Sequence, residues 1–173
     1  MTLPMEKAEA CLKLPVVGCS IRTTERIPGV HRDTVMRLLV AAGERCESLT
    51  ARLIHAVPVE EVQCEELWGY ARMKEKRAPV DAKRAHLAGD SWCYVAMESR
   101  AKLILAWHLG HRTTQGTCWF FEKLDAATGG HFQITTDGFA PYKDAVEVCL
   151  GTRTDFAQLV KTYRQPQEGE RRY

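Results

Sequence analysis

Apolar side chains recur at helical spacing along the first third of the chain and alternate along the rest. Met5 to Leu14 predicts a first short helix, interrupted by Pro15 and Gly18. Ser20 is placed as an N-cap for a second short helix over Ile21 to Ile27. Pro28-Gly29-Val30 predicts a tight turn, and His31 to Leu39 opens a third helix. Beyond Gly43, the positions of Cys46, Leu49, Leu53, Ile54 and Val57 predict a further amphipathic helix leading to Pro58.

Past Pro58 the period changes to two. Val62, Cys64, Glu66 and Trp68 alternate with Gln63, Glu65, Leu67 and Gly69, so Glu65 and Glu66 project from opposite faces of a strand unless a bulge intervenes. Ser91 to Met97 predicts a second strand, Glu98 to Arg100 a turn, and Ala101 to Leu109 a third strand. A helix over Thr113 to Leu124 follows, then a strand from His131 to Thr136 that ends in Asp137-Gly138. A helix near Tyr142 to Leu150 and a short strand near Phe156 to Val160 complete the series. Three meandering strands, helix, strand, helix, strand is the order of a ribonuclease H-like core. There the first and fourth strands lie side by side at the centre of the sheet, so acids near their C-terminal ends converge. The expected fold is therefore α/β: a helix-turn-helix domain over residues 1–57, then a mixed sheet with helices over 60–173.

The helix–turn–helix reading has a physical basis. Gly29 permits the sharp turn, Val30 and Val35 bury its corner, and the next helix projects His31, Arg32 and Thr34 at base edges or phosphates. Arg22, Arg26 and Arg37 are candidates for backbone phosphates. A plain helical hairpin with solvated arginines carries the same pattern, and His31 also suits a polar cap. The densest cationic stretch, Arg72 to Pro79, offers Lys74, Lys76 and Arg77 as further DNA-backbone contacts, or forms an exposed loop.

Composition narrows the classes. The 173 residues are 45% apolar and 27% charged, ordinary globular values, and the net charge of +2 permits nucleic-acid binding without arguing for it. Seven scattered cysteines with no C-x-x-C pair read as reduced, mostly buried thiols of a cytoplasmic protein rather than a disulfide framework or a zinc ribbon. No apolar run approaches the roughly 18 residues that span a bilayer, so no membrane partner is expected. There is no P-loop, G-x-G-x-x-G or H-E-x-x-H. His108 and His111 have a helical ligand spacing but fall at a strand end, and the four tryptophans (68, 92, 107, 119) read as core.

Ser20-Ile21-Arg22 through Gly29-Val30-His31-Arg32-Asp33-Thr34, then Gln63-Cys64-Glu65-Glu66-Leu67-Trp68, then Thr135-Thr136-Asp137-Gly138-Phe139 resemble the bacterial insertion-sequence transposases of the insertion-sequence-one type. The resemblance runs in order over nearly the whole chain. It implies recognition of double-stranded DNA carrying the terminal inverted repeats of a mobile element. It also implies an Asp-Asp-Glu triad holding two Mg²⁺ ions about 3.5–4 Å apart for strand cleavage and transfer. By position, the first acid falls on Glu65, with Glu66 its acidic neighbour, and the second on Asp137. The family pattern has Asp where this chain has Glu65, and its third acid belongs on a helix beyond Tyr173. Glu168 and Glu170, in a polar tail with Pro166 and Gly169, are not read as substitutes. The expectation is a C-terminally truncated ribonuclease H-like domain that binds element-end DNA without catalysing transposition. A helix-turn-helix regulator or domesticated remnant is the alternative. A remnant with no function is a third reading: loss of the last helix would expose one sheet face, which predicts aggregation or association into homo-oligomers.

Overall fold

The structure, a computed structural model, describes residues 3–81 and 88–160. The polar continuation of the basic segment at 82–87 and the tail with Glu168 and Glu170 lie outside the described residues. The chain divides into two compact units between Leu53 and Ile54.

The first unit holds α1 (Met5–Val16), α2 (Ile21–Arg26) and α3 (Arg32–Leu53). Ser20 caps α2: its hydroxyl oxygen accepts the Thr23 N–H at 3.2 Å. Gly29 adopts φ +64°, a left-handed conformation that reverses the chain between α2 and α3. Val30 and Val35 are buried with Cys11, and Leu3, Ile21, Leu38 and Leu39 pack around them. The amides that open α3 are also partnered. Glu25 Oε1 accepts the Arg32 N–H at 3.1 Å, and His31 Nδ1 accepts the Asp33 N–H at 3.3 Å.

The break expected at Pro15 and Gly18 is present: α1 ends at Val16, with Pro15 in its last turn and Gly18 left-handed at φ +87°. The break expected at Gly43 is not. Gly43 lies within α3, so the two helices expected on either side of it are one helix of 22 residues. A single helical glycine costs about 1 kcal/mol relative to alanine. Flanked by the helix formers Ala41, Ala42, Glu44 and Arg45, it does not end the helix.

In the second unit, Val57–Pro58 (β1) pairs in parallel with Thr128–Gly129 (β5), which assigns residues 57 and 58 to this unit. The main sheet has five strands: β2 (Glu61–Ala71), β3 (Gly89–Glu98), β4 (Ile104–Gly110), β6 (Phe132–Asp137) and β7 (Thr154–Leu159). Their spatial order is β4-β3-β2-β6-β7. β2, β3 and β4 form an antiparallel meander, whereas β2 with β6 and β6 with β7 are parallel. Parallel neighbours need crossovers, supplied by α4 (Thr114–Ala127) and α5 (Pro141–Cys149).

Both crossover helices pack on one sheet face. Val62, Cys64, Tyr94, Ala96, Ala106 and Ile134 from the strands bury against Phe120, Phe121, Leu124, Tyr142, Ala145 and Val146 from the helices. Residues of the other parity face away, and Leu67, Leu109 and Leu159 remain exposed there. The tryptophans do not fill the core as expected. Trp92 packs against it, but Trp68, Trp107 and Trp119 are 45%, 37% and 51% exposed. Trp107 has the parity of the uncovered face, and Trp119 follows α4's outward side while its neighbours Phe120 and Phe121 turn inward. Tyr94, Phe120, Phe121 and Tyr142 take the central place, with successive ring centroids 5.0–5.6 Å apart.

Among the described residues no helix is long and apolar enough to cross a membrane.

Glu98 closes the β3–β4 turn: its carboxylate accepts the N–H groups of Ala101 and Arg100. Those two amides hold its pKa below the ordinary 4.5. A lowered folded-state pKa stabilises above the unfolded value, and that contribution is lost as pH falls through the folded value. Glu98→Gln should therefore lower the melting temperature at pH 7. The gap from wild type should close as pH falls below 4.5, which thermal melts at stepped pH would follow.

Candidate functional site

β2 and β6 are neighbours only over a short stretch, Glu61 to Gln63 against Gln133 to Thr135. β6 continues beside β7 as far as Asp137 opposite Leu159. Beyond Gln63 and Thr135 the two central strands part and open a cleft of about 640 Å³. Gln63, Cys64, Glu65 and Arg112 line it, with residues 135–140, Leu159 and Val160. Counting on in the same register brings Glu65 level with Asp137.

Strand alternation sends the two adjacent glutamates to different places. Glu65 is exposed at the cleft. Glu66 shares the parity of Val62 and Cys64, and its side chain is only 2% exposed. A carboxylate on a buried face needs a compensating partner, and here it is Arg112. The Arg112 Nε–H donates to Glu66 Oε2 at 2.5 Å, and its Nη2 lies 3.4 Å from Asp137 Oδ2. One guanidinium thus bridges an acid from β2 and an acid from β6.

Arg112 is itself held in place. It precedes Thr113, the N-cap of α4, whose hydroxyl accepts the Gly116 N–H at 3.1 Å. The buried Tyr94 donates its hydroxyl to the His111 carbonyl at 3.2 Å, tying the same loop to the core. The guanidinium carbon sits 3.9 Å from the Phe139 ring centroid and 4.8 Å from that of Trp92. Phe139 is anchored in turn: its N–H donates to Asp137 Oδ1 at 3.0 Å, and its carbonyl accepts from Gln158 at 3.1 Å.

Burial pushes the Glu66 carboxyl above its ordinary 4.5, with nearby Asp137 adding to the rise. Tyr142 and Arg112 oppose it. Burial likewise raises the Tyr142 hydroxyl, and Glu66 reinforces that shift. Glu66 Oε1 and the Tyr142 hydroxyl are buried, and each lacks a hydrogen bond of ordinary geometry.

No protein-family model matches this chain, and no curated protein matches it.

Of the residues expected to act together, Glu65 and Asp137 both line the cleft. Arg112 and Tyr142 were not singled out from the sequence as parts of a site; Glu66 entered only as the acidic neighbour of Glu65, and Phe139 only as the end of the Asp137 motif. One signal was legible: Glu66 falls on the buried parity, where an acid demands a cation. Which cation was not legible, because Arg112 lies 46 positions away.

The expected DNA contacts are distributed over both units. Arg22, Arg26, His31, Arg32 and Arg37 are exposed, and Thr34 is partly buried. Arg37 folds back along α3, donating to the Asp33 carbonyl at 3.3 Å and lying 3.4 Å from the Thr34 hydroxyl. In the second unit, exposed Lys76 and Arg77 sit on a 3-10 turn at Glu75–Arg77. Glu75 fastens it to Asp90 through paired backbone-to-carboxylate bonds of 3.0 and 3.1 Å. Lys74 lies over the Trp68 ring at 5.1 Å. The His108 ring packs 5.7 Å from Trp119 and 6.0 Å from Tyr94, and burial lowers its pKa.

The Mg²⁺ pair implied by the resemblance would rest on Glu65 and Asp137; Glu65 is exposed at the cleft, but Asp137 and the neighbouring Glu66 are already engaged. Asp137 Oδ1 is taken by the Phe139 N–H, and Arg112 faces both Asp137 Oδ2 and Glu66 Oε2. Glu66 Oε1 is buried, and among the described residues no three His, Cys, Asp or Glu side chains are grouped to hold a metal.

The raised Glu66 pKa carries a pH signature. Its protonated form is favoured in the fold, so its contribution is fully present below the unfolded value and declines as pH rises through the folded one. Glu66→Gln should remove that decline: the wild-type minus variant difference in melting temperature should become less favourable to wild type as pH rises above 4.5. A flat difference between pH 4 and 7 would sink the assignment.

Proposed function

We propose that this chain is a transposase-derived protein that binds double-stranded DNA at the ends of a mobile element and does not cut it. The supporting observation is the placement of the β2 acids and Asp137 on adjacent central strands, in the order β4-β3-β2-β6-β7, with an open cleft where those strands part. That arrangement is the one a ribonuclease H-like phosphodiester site requires, and it agrees with the residues that carry the sequence resemblance. The Arg112 bridge supports the absence of cutting, because its guanidinium engages Asp137, the second acid that metal-dependent hydrolysis would use, together with Glu66 beside the first.

DNA contact is assigned to the first unit. The turn at Gly29 sets α3 after α2, leaving Arg22, Arg26 and Arg32 exposed. A helix-turn-helix would use such residues for phosphates and the start of α3 for base edges.

Gel-shift titration with a duplex carrying the element's terminal repeats should show saturable binding that weakens with salt. Arg22→Ala and Arg32→Ala should each weaken binding and reduce the slope of log K against log salt by about 0.9 for each phosphate no longer neutralised. Incubation with Mg²⁺ or Mn²⁺ should leave the duplex uncut. Robust Mg²⁺-dependent cleavage would overturn the non-cutting role. Binding to a host operator in preference to the terminal repeats would favour a helix-turn-helix regulator instead.

A further inference from the structure

We infer that Arg112 is the resident cation of the cleft: its guanidinium takes the place of a divalent ion between Glu66 and Asp137 and keeps that acid pair closed to one. Three observations carry this. Arg112 contacts both carboxylates, at 2.5 and 3.4 Å. It is held from several directions, by the Phe139 and Trp92 rings and by the loop tied to Tyr94. The Glu66 side chain is only 2% exposed, and among the described residues its buried Oε1 has no hydrogen bond of ordinary geometry. An acid that deeply buried carries a donor oxygen to spare once the guanidinium is removed.

The chemistry sets the consequence. A guanidinium between two carboxylates neutralises one of their two charges and engages an oxygen of each. A second cation brought to the same place meets like-charge repulsion in surroundings of low dielectric. Removing the guanidinium reverses both effects and leaves two facing carboxylates without a counter-charge, an oxygen-donor set that suits a hard divalent cation. This property of the acid pair is independent of whether the chain binds DNA.

The probe is Mn²⁺, titrated into the full chain and followed by electron paramagnetic resonance. Tb³⁺ luminescence sensitised through Trp92 gives a second readout, since that indole adjoins the guanidinium. Wild type and Asp137→Asn should bind Mn²⁺ alike, with no site that depends on Asp137. Arg112→Gln should gain a saturable site at least about tenfold tighter than any in wild type, the scale expected when a like charge leaves a partly buried position. The double variant Arg112→Gln/Asp137→Asn should lose it. Circular dichroism melts establish that each variant is folded.

Two results would overturn the inference. One is a folded Arg112→Gln that gains no Asp137-dependent binding. The other is wild type binding one Mn²⁺ at an Asp137-dependent site with an affinity within a few-fold of the variant. If Arg112→Gln does not fold, the comparison of wild type with Asp137→Asn decides alone: an Asp137-dependent site overturns the inference, and its absence upholds it.

Discussion

The guanidinium of Arg112, shared between Glu66 and Asp137, is the contact on which the cleft end of the second unit depends. β2 and β6 stop pairing after Gln63 and Thr135, so no backbone ladder joins them where the acids lie. A side chain must span that gap. An ion pair of this burial is not a large source of net stability, since desolvating the charges offsets much of their attraction. Its value is specificity: it selects one arrangement of three elements, because the guanidinium fork meets both carboxylates only when β2, β6 and the loop before α4 are all in place.

The rest of the unit supplies the rigidity for that meeting. Tyr94, Phe120, Phe121 and Tyr142 form a continuous aromatic core beneath the helices. From this core Tyr94 reaches the loop that bears Arg112, and Tyr142 adjoins Phe139 at 5.5 Å. The site is therefore an extension of the hydrophobic packing, not an addition on mobile loops. The opposite sheet face has no described helix of this unit on it and leaves Leu67, Leu109 and Leu159 exposed.

Much of the secondary structure was legible because its causes are local. Alternation along Val62 to Trp68, the Ser20 cap and the turn at Gly29 each depend on a few neighbouring residues. The errors came where a local signal was outweighed. Gly43 read as a break, but a helix extended on both sides by good helix formers tolerates one poor residue. The tryptophans read as core because they are large and apolar, but whether a strand or helix position faces inward depends on which sheet face the helices cover.

The sequence by itself determined the order of the elements and the parity that separates Glu65 from Glu66. These follow from periodicity and chain order. Only the tertiary structure decided that Glu66 is the acid linked to Asp137, that Arg112 links them, and that the linking group is a cation covalently part of the chain. Arg112 and Glu66 are 46 residues apart, and Arg112 and Asp137 25. Their meeting depends on strand order and on where two strands part, and neither is a property of any short segment.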